Sequence, residues 1–329
     1  MSRAQLTSTV EQNTGGAVAP YVAGKNAIIN GGMDWFQRST SVTIPNTTPG
    51  YYAPDRFLFY SNGGSTTLSR VAGTAGITYA TQVATTSGNT QINIENRLEY
   101  QSAQLLMGKT VTFSFYVNVA TTSGVAIAVG DYYPSSLDNW ASVTFAQKGT
   151  VSAGQLSAGN WVRQSITFTA DSNTTGLGFY LTITGLGANT LQITGLQVEI
   201  GSVPTAFARA GGTLSGELAA CQRYYQRFTS TATTGTIIPI GLAYSSTGLI
   251  FQQPLLVSMR TTPTVIDYAN VRGNDSNAAY TLGAITIDTN NGSPTMAYLA
   301  STTTGLTTYR PIYATGNGTV GYIGISAEL

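Results

Sequence analysis

The run Thr110 to Val119, TVTFSFYVNV, sets Val111, Phe113, Phe115, Val117 and Val119 on one side and Thr112, Ser114, Tyr116 and Asn118 on the other. Alternation at period two over ten residues describes an antiparallel strand with one face in a core and the other in water. Such a strand is unstable alone. It needs neighbours for its backbone groups and a second layer over its apolar face. From Lys25 to Arg209 the chain supplies them as short β runs: Asp55 to Tyr60, Ser65 to Val71, Ile77 to Val83, Val125 to Val129, Val143 to Phe145, Gln164 to Thr169, Phe179 to Thr184 and Leu191 to Ile200. Clusters such as Asn62-Gly63-Gly64 and Ser87-Gly88-Asn89 punctuate them, a spacing that predicts an all-β sandwich. Asn96 to Met107 breaks the pattern and reads as a short helix or an irregular crossover.

The period changes after Ile200, where Gly201 and Pro204 stop the ladder. Leu218, Cys221, Tyr225 and Phe228 recur at helical spacing behind Ser215, with Glu217 in the first turn, which predicts one short amphipathic helix in a linker over 211–229. Residues 230–329 return to strands at Ile237 to Leu242, Leu249 to Gln253, Thr264 to Tyr268, Tyr280 to Ile287, Met296 to Leu299 and Val320 to Ile325. They form a second, smaller β domain, either self-contained or completed by partner chains. Residues 1–24 are polar and contain glycine, and read as an extended arm that is either a loose tail or a docking segment.

Several spaced motifs resemble tail-fibre and related receptor-binding proteins of tailed bacteriophages. They are Asn26 to Arg38, NAIINGGMDWFQR, then Tyr52-Ala53-Pro54-Asp55-Arg56-Phe57, Gln197-Val198-Glu199-Ile200-Gly201, Pro204-Thr205-Ala206-Phe207, and Glu217-Leu218 with Cys221-Gln222-Arg223-Tyr224-Tyr225. Phe57 stands where that family more often has Trp. The resemblance covers roughly residues 25 to 228 and implies a virion protein, made in the host bacterial cytoplasm and joined to other virion proteins through residues 1–24. It also implies a homo-oligomer, a trimer first, with Tyr224, Tyr225 and Phe228 buried between copies. Domain 25–210 is similar, too, to jelly-roll carbohydrate-binding modules, which makes the expected sandwich jelly-roll-like. In those modules the opening Asn-Gly segment and the last strand often share a structural calcium. Gln197 stands where they commonly have an acid, so no metal and no other cofactor is expected.

Composition removes most other functions. There is no histidine, which excludes Ser-His-Asp and Cys-His nucleophiles and histidine-based zinc sites. Only 9% of residues are charged and the net charge is +1, with no basic cluster to neutralise phosphates, so nucleic acid is not an expected partner. No run is long and apolar enough to span a bilayer, so membrane insertion is not expected either. The single cysteine, Cys221, reads as a small buried hydrophobe. A glycan depolymerase would need two carboxylates at a cleft, and the acids close in sequence are Asp131 with Asp138 and Glu95 with Glu99. Surface solvation is the simpler account of them, and the chain is expected not to be an enzyme.

Carbohydrate adhesion needs aromatic faces for the C–H surfaces of sugars, with amides, carboxylates and hydroxyls around them. Gly130 to Trp140, GDYYPSSLDNW, gathers those groups in Asp131, Tyr132, Tyr133, Asp138, Asn139 and Trp140. The competing reading has Tyr132 or Trp140 folded back as a lid on the sandwich, while Trp35 and Trp161 read as core. The sequence therefore predicts a tail fibre that adheres to host-surface glycans. A head fibre or capsid decoration protein and a depolymerase are the alternatives.

Overall fold

The computed structural model describes residues 25–173, 175–275 and 277–329; the expected attachment arm, residues 1–24, lies outside them. The chain forms two compact units. The first holds residues 25–36, Thr40–Glu217 and Leu329; the second holds Gln37–Ser39 and Leu218–Glu328.

The first unit is a sandwich of two antiparallel sheets. One sheet orders β1 (Ser41–Ile44), β3 (Thr66–Ala72), β4 (Tyr79–Thr85), β11 (Thr190–Ile200), β6 (Thr110–Val119) and β9 (Val162–Thr169). The other orders β2 (Phe57–Asn62), β5 (Gln91–Leu98), β10 (Leu177–Thr184), β7 (Ala126–Ser136) and β8 (Asn139–Val151). The five apolar side chains of β6 are all buried, and the Phe113 ring meets Phe179 of the opposite sheet edge-on, 6.0 Å between centroids. Each such side chain contributes about 1.5 to 3 kcal/mol by leaving water, so β6 is the main apolar contribution of its sheet. On its other face Thr112 and Ser114 are buried as well, because Thr112 donates to the Gly201 carbonyl at 2.8 Å and Arg163 donates to Ser114 at 3.0 Å. The last strand of the unit, β11, lies in the middle of its sheet between β4 and β6, with a bulge between Thr194 and Gln197. Gly195 sits in that bulge at φ +64, where a Cβ would fall 2.7 Å from Ile77.

Strand β5 carries no strong propensity signal, since Asn, Glu and Arg interrupt its two isoleucines, yet it pairs with both β2 and β10. The break read at Asn96 falls three residues later, where a single helical turn, α1 (Tyr100–Ala103), follows β5. Trp35 and Trp161 are half-buried and stand outside the core.

The helix α2 (Leu214–Gln222) is nine residues long and is capped by Thr213, not Ser215: the Thr213 hydroxyl accepts the Gly216 N–H at 3.0 Å. It ends before Tyr225 and Phe228, which belong to β12 (Tyr225–Thr229), so 211–229 is not one helical linker. Pairing of β12 with β22 (Tyr322–Ser326) outweighs the helical spacing, and β22 also pairs with β16 (Val265–Ala269). Tyr224 and Tyr225 are buried within the second unit. The Tyr225 hydroxyl donates to Asp267 at 3.1 Å and the Arg38 guanidinium lies 3.7 Å over its ring, while Phe228 packs on the core. Tyr224 and Tyr225 are therefore filled within the chain and are not available as contacts between copies, while Phe228 keeps part of its surface exposed. Cys221 is fully buried.

Two more antiparallel sheets complete the second unit. One orders β13 (Thr236–Ile238), β21 (Tyr313–Gly316), β17 (Val271–Asn274) and β18 (Ala279–Thr281); the other orders β14 (Gly241–Ala243), β15 (Gly248–Pro254), β20 (Met296–Thr302) and β19 (Thr286–Ile287). Ile238, Leu249, Phe251, Leu299, Ile323 and Ile325 give the unit its own core.

Candidate functional site

Two polar assemblies stand out in the first unit. The first collects the motif residues. Asn26 donates to the carbonyls of Leu196 and Ala208, both at 3.0 Å, and accepts the N–H groups of Ile28 and Val198. Asn30, at φ +62, donates to the carbonyls of Trp35 and Asp55, both at 2.9 Å, and accepts the Trp35 N–H at 3.0 Å, while its own N–H donates to Glu217, which also accepts the Gly211 N–H at 2.6 Å. Burial raises the Glu217 carboxyl above its usual range, and these two N–H bonds offset only part of it. Asp34 and Arg209 form a two-point ion pair at 2.7 and 3.1 Å. Each side chain is consumed by the backbone or by a partner, which makes this assembly a latch. It also decides the calcium question. Glu199 accepts from the Thr205 N–H, the Thr205 hydroxyl and Gln197, with the Lys25 ammonium 3.4 Å away. A carboxylate ringed by donors and an ammonium does not fit a divalent cation.

The second assembly is the outer face of the five-stranded sheet. Ile92, Ile94, Phe179, Leu181 and Val129 turn into the core, so alternation sends Asn93, Glu95 and Arg97 of β5, Tyr180 and Thr182 of β10, and Tyr132 of β7 outward. The register then sets Tyr60, Asn93, Thr182 and Ala128 on one rung, Glu95, Tyr180, Gly130 and Gln147 on the next, and Arg97, Gly178, Tyr132 and Phe145 at the end. Glycines make room for the rings: a Cβ at Gly178 would fall 2.3 Å from Tyr132, and one at Gly130 would fall 2.8 Å from Tyr180.

Tyr132 stacks on Phe145 at 4.8 Å and 11° and meets Trp140 edge-on at 5.1 Å, while Phe145 meets Tyr180 edge-on at 5.1 Å. Tyr132, Trp140 and Tyr180 are buried, whereas Phe145 is 46% exposed. One open ring thus rests on covered ones. The charges on this face act as props. The Arg97 guanidinium lies 5.1 Å over Trp140 and donates to the Tyr132 hydroxyl at 3.3 Å and to the Leu329 carbonyl at 2.7 Å. Burial raises the Glu95 carboxyl, offset by Arg97, the Tyr132 hydroxyl and Asn93. Asn93 in turn accepts from Gln91 at 2.8 Å and Thr182 at 3.1 Å. A fixed, open aromatic face with the exposed Gln147 amide next to it on β8 suits the apolar side of a sugar ring.

The six side chains expected to form a binding loop are not in a loop. Strand β7 runs on to Ser136 and β8 starts at Asn139, which divides them between two sheet faces and a turn. Tyr132 and Trp140 are covered, so neither offers a ring to a ligand. Asp131 is on the face opposite Tyr132, fully buried, accepting the Asp171 N–H at 2.8 Å and facing Lys148 at 3.3 Å. Burial, with the Asp171 charge, pushes its carboxyl up to about 6 against the pull of Lys148. Tyr133 is half-buried on that same side. Asp138 occupies the turn at φ +50, accepting the Tyr100 N–H at 2.8 Å. Asn139 is exposed and accepts from the Ala141 N–H at 3.2 Å. The one signal for Phe145 was a lone aromatic among Thr144, Ala146 and Gln147, and for Asn93 there was none.

The acids close in sequence are not brought together. Asp131 is buried in β7 and Asp138 sits in the turn beyond it, while Glu95 belongs to β5 and Glu99 lies past its end.

No protein-family model matches the chain, and no curated protein matches it. Solved structures do. The CBM22-2 xylan-binding domain of Xyn10C from Paenibacillus barcinonensis is 14% identical, over 44% of this chain and 91% of that one, with a TM-score of 0.33. The C-terminal family 22 carbohydrate-binding module of Xyn10B from Clostridium thermocellum is 15% identical, over 44% and 88%, at 0.31. TmCBM61, solved with β-1,4-galactotriose, is 12% identical, over 54% and 99%, at 0.31. At these scores the likeness does not extend to a residue-for-residue correspondence.

Proposed function

We propose that the outer face of the five-stranded sheet binds an uncharged glycan, and that the chain is a non-catalytic adhesive protein. The observation that carries this reading is Phe145, an exposed ring held flat by Tyr132, with the exposed Gln147 next to it on the same face of β8. A neutral ligand is favoured because Arg97 and Glu95 are committed to Tyr132, Trp140 and Asn93. The motifs at 26–38, 52–57, 197–201, 204–207 and 217–225 support placing this adhesion in a tailed-phage virion, as a tail fibre attached through residues 1–24. Weak contacts on identical chains then add through effective concentration.

A microarray of neutral and anionic bacterial oligosaccharides, probed with the full chain and with Phe145→Ala, tests the binding. Signal on neutral glycans that falls at least fivefold in the variant is the expected result, and equal signals would refute it. Immunogold labelling of particles tests the location, with a label on the tail expected and one on the head contradicting it.

A further inference from the structure

In the second unit, the outer face of the sheet ordered β13, β21, β17 and β18 carries a cation without a counter-charge. Antiparallel pairing sets Arg272 between Thr315 and Thr281, and Asn274 between Tyr313 and Ala279, so these side chains share one face. Gly273 and Ala314 alternate with them toward the core. Thr315 is buried and holds two of the heads: its hydroxyl accepts from Arg272 Nε at 3.4 Å and from the Asn274 amide, which leaves the Asn274 Oδ1 unengaged. Arg272 is half-buried, and among the described residues no carboxylate pairs with it. Elsewhere in the second unit Arg310 pairs with Asp275 at 3.2 Å, Arg38 pairs with Glu328 at 3.4 Å, Arg260 donates to the Ala327 carbonyl at 3.1 Å, and Arg227 lies 3.4 Å over the Tyr322 ring. Asp275, the acid nearest in sequence to Arg272, also accepts from the Tyr280 hydroxyl at 2.9 Å and from the N–H groups of Asn277 and Ala278. A partly desolvated guanidinium without an anion is unfavourable, and binding one relieves it. Tyr313, 36% exposed, stands across from Asn274 at about 5 Å and diagonal to Arg272 at roughly 7 Å.

We propose that Arg272, Asn274 and Tyr313 form a second glycan site, one that takes a sugar bearing a carboxylate. Charge selects the ligand: the guanidinium fork matches a carboxylate in two-point contact, whereas Arg97 of the first unit is already committed to Tyr132 and Leu329. Size selects a single sugar residue over an acidic protein surface. One cation, one ring and one amide lie within the breadth of a pyranose, with Tyr313 for its apolar side and Asn274 and Thr281 for its hydroxyls. This site does not rest on the Phe145 face, whose ligand is uncharged.

A microarray that pairs uronic-acid oligosaccharides with their carboxyl-reduced counterparts, probed with the full chain, Arg272→Gln and Tyr313→Ala, tests this, with sodium acetate and a glutamate-rich peptide as competitors. Expected is a signal on the acidic member of a pair at least tenfold above its reduced counterpart, falling at least tenfold in Arg272→Gln and at least threefold in Tyr313→Ala. Equal signals on both members, an acidic signal that Arg272→Gln leaves unmoved, or displacement by acetate or the peptide at the concentration of the oligosaccharide would overturn the proposal. Both side chains are partly exposed, so the melting temperature is expected to hold, and if one variant fails to fold, the other decides. The readout on acidic pairs does not involve Phe145, so the two sites stand or fall separately.

Discussion

The latch around Asn26, Asn30, Gln197 and Glu199 and the outer face of the five-stranded sheet are both rich in amides and carboxylates, yet they end in opposite states. In the latch each of these side chains meets backbone or side-chain partners. On the sheet face the buried groups support one another and leave Phe145, Gln147 and Thr182 turned to solvent. The latch holds much of the recognisable motifs, and the face holds little of them beyond Glu95. Sequence likeness in this chain therefore marks what fixes the fold, because four bonds from one asparagine leave little room for substitution. A sheet face that needs only a ring and some amides can be built from many residues.

The comparison is most easily broken at Trp140. As a covered ring beneath Arg97 it should cost about 3 to 5 kcal/mol on substitution by Ala, lowering the melting temperature on the order of 10 °C. A stable Trp140→Ala protein that fails to bind would return the binding surface to the β7–β8 hairpin. Next comes Asn26→Ala, which strands two N–H groups and two carbonyls and should cost about 3 kcal/mol or more. Its glycan signal, measured below its melting temperature, should be unchanged; a selective loss of binding would make the latch part of the site.

A smaller effect separates the two faces of β7. The fold holds Asp131 at about 6, above the roughly 3.9 of an unfolded aspartate, so it favours the protonated form. The stabilisation this gives is full below about pH 4 and is lost as pH rises through about 6. Melting scans should show the unsubstituted chain gaining on Asp131→Asn between pH 7 and pH 4. A difference independent of pH would contradict the buried environment described for Asp131.

How much the sequence disclosed follows the same division. The alternation of β6 and the turn clusters marked the sandwich, because apolar period and glycine act locally. The helical spacing of Leu218, Cys221, Tyr225 and Phe228 misled, since pairing of β12 with a strand about a hundred residues away decides the conformation there. The aromatic residues of Gly130 to Trp140 were expected to form a binding loop, but which rings are covered depends on register with Gly178 and on Arg97. Phe145 became legible only when β8 was seen to lie against β7.

Phe145→Ala is the most direct test of the account. The ring is half open, so its removal should lower stability by about 1 kcal/mol or less, its share of a single aromatic contact. Isothermal titration with a neutral oligosaccharide that binds the unsubstituted chain should show affinity falling at least fivefold with the melting temperature nearly unchanged. Equal affinity in the variant would contradict the assignment of the sheet face as the glycan site.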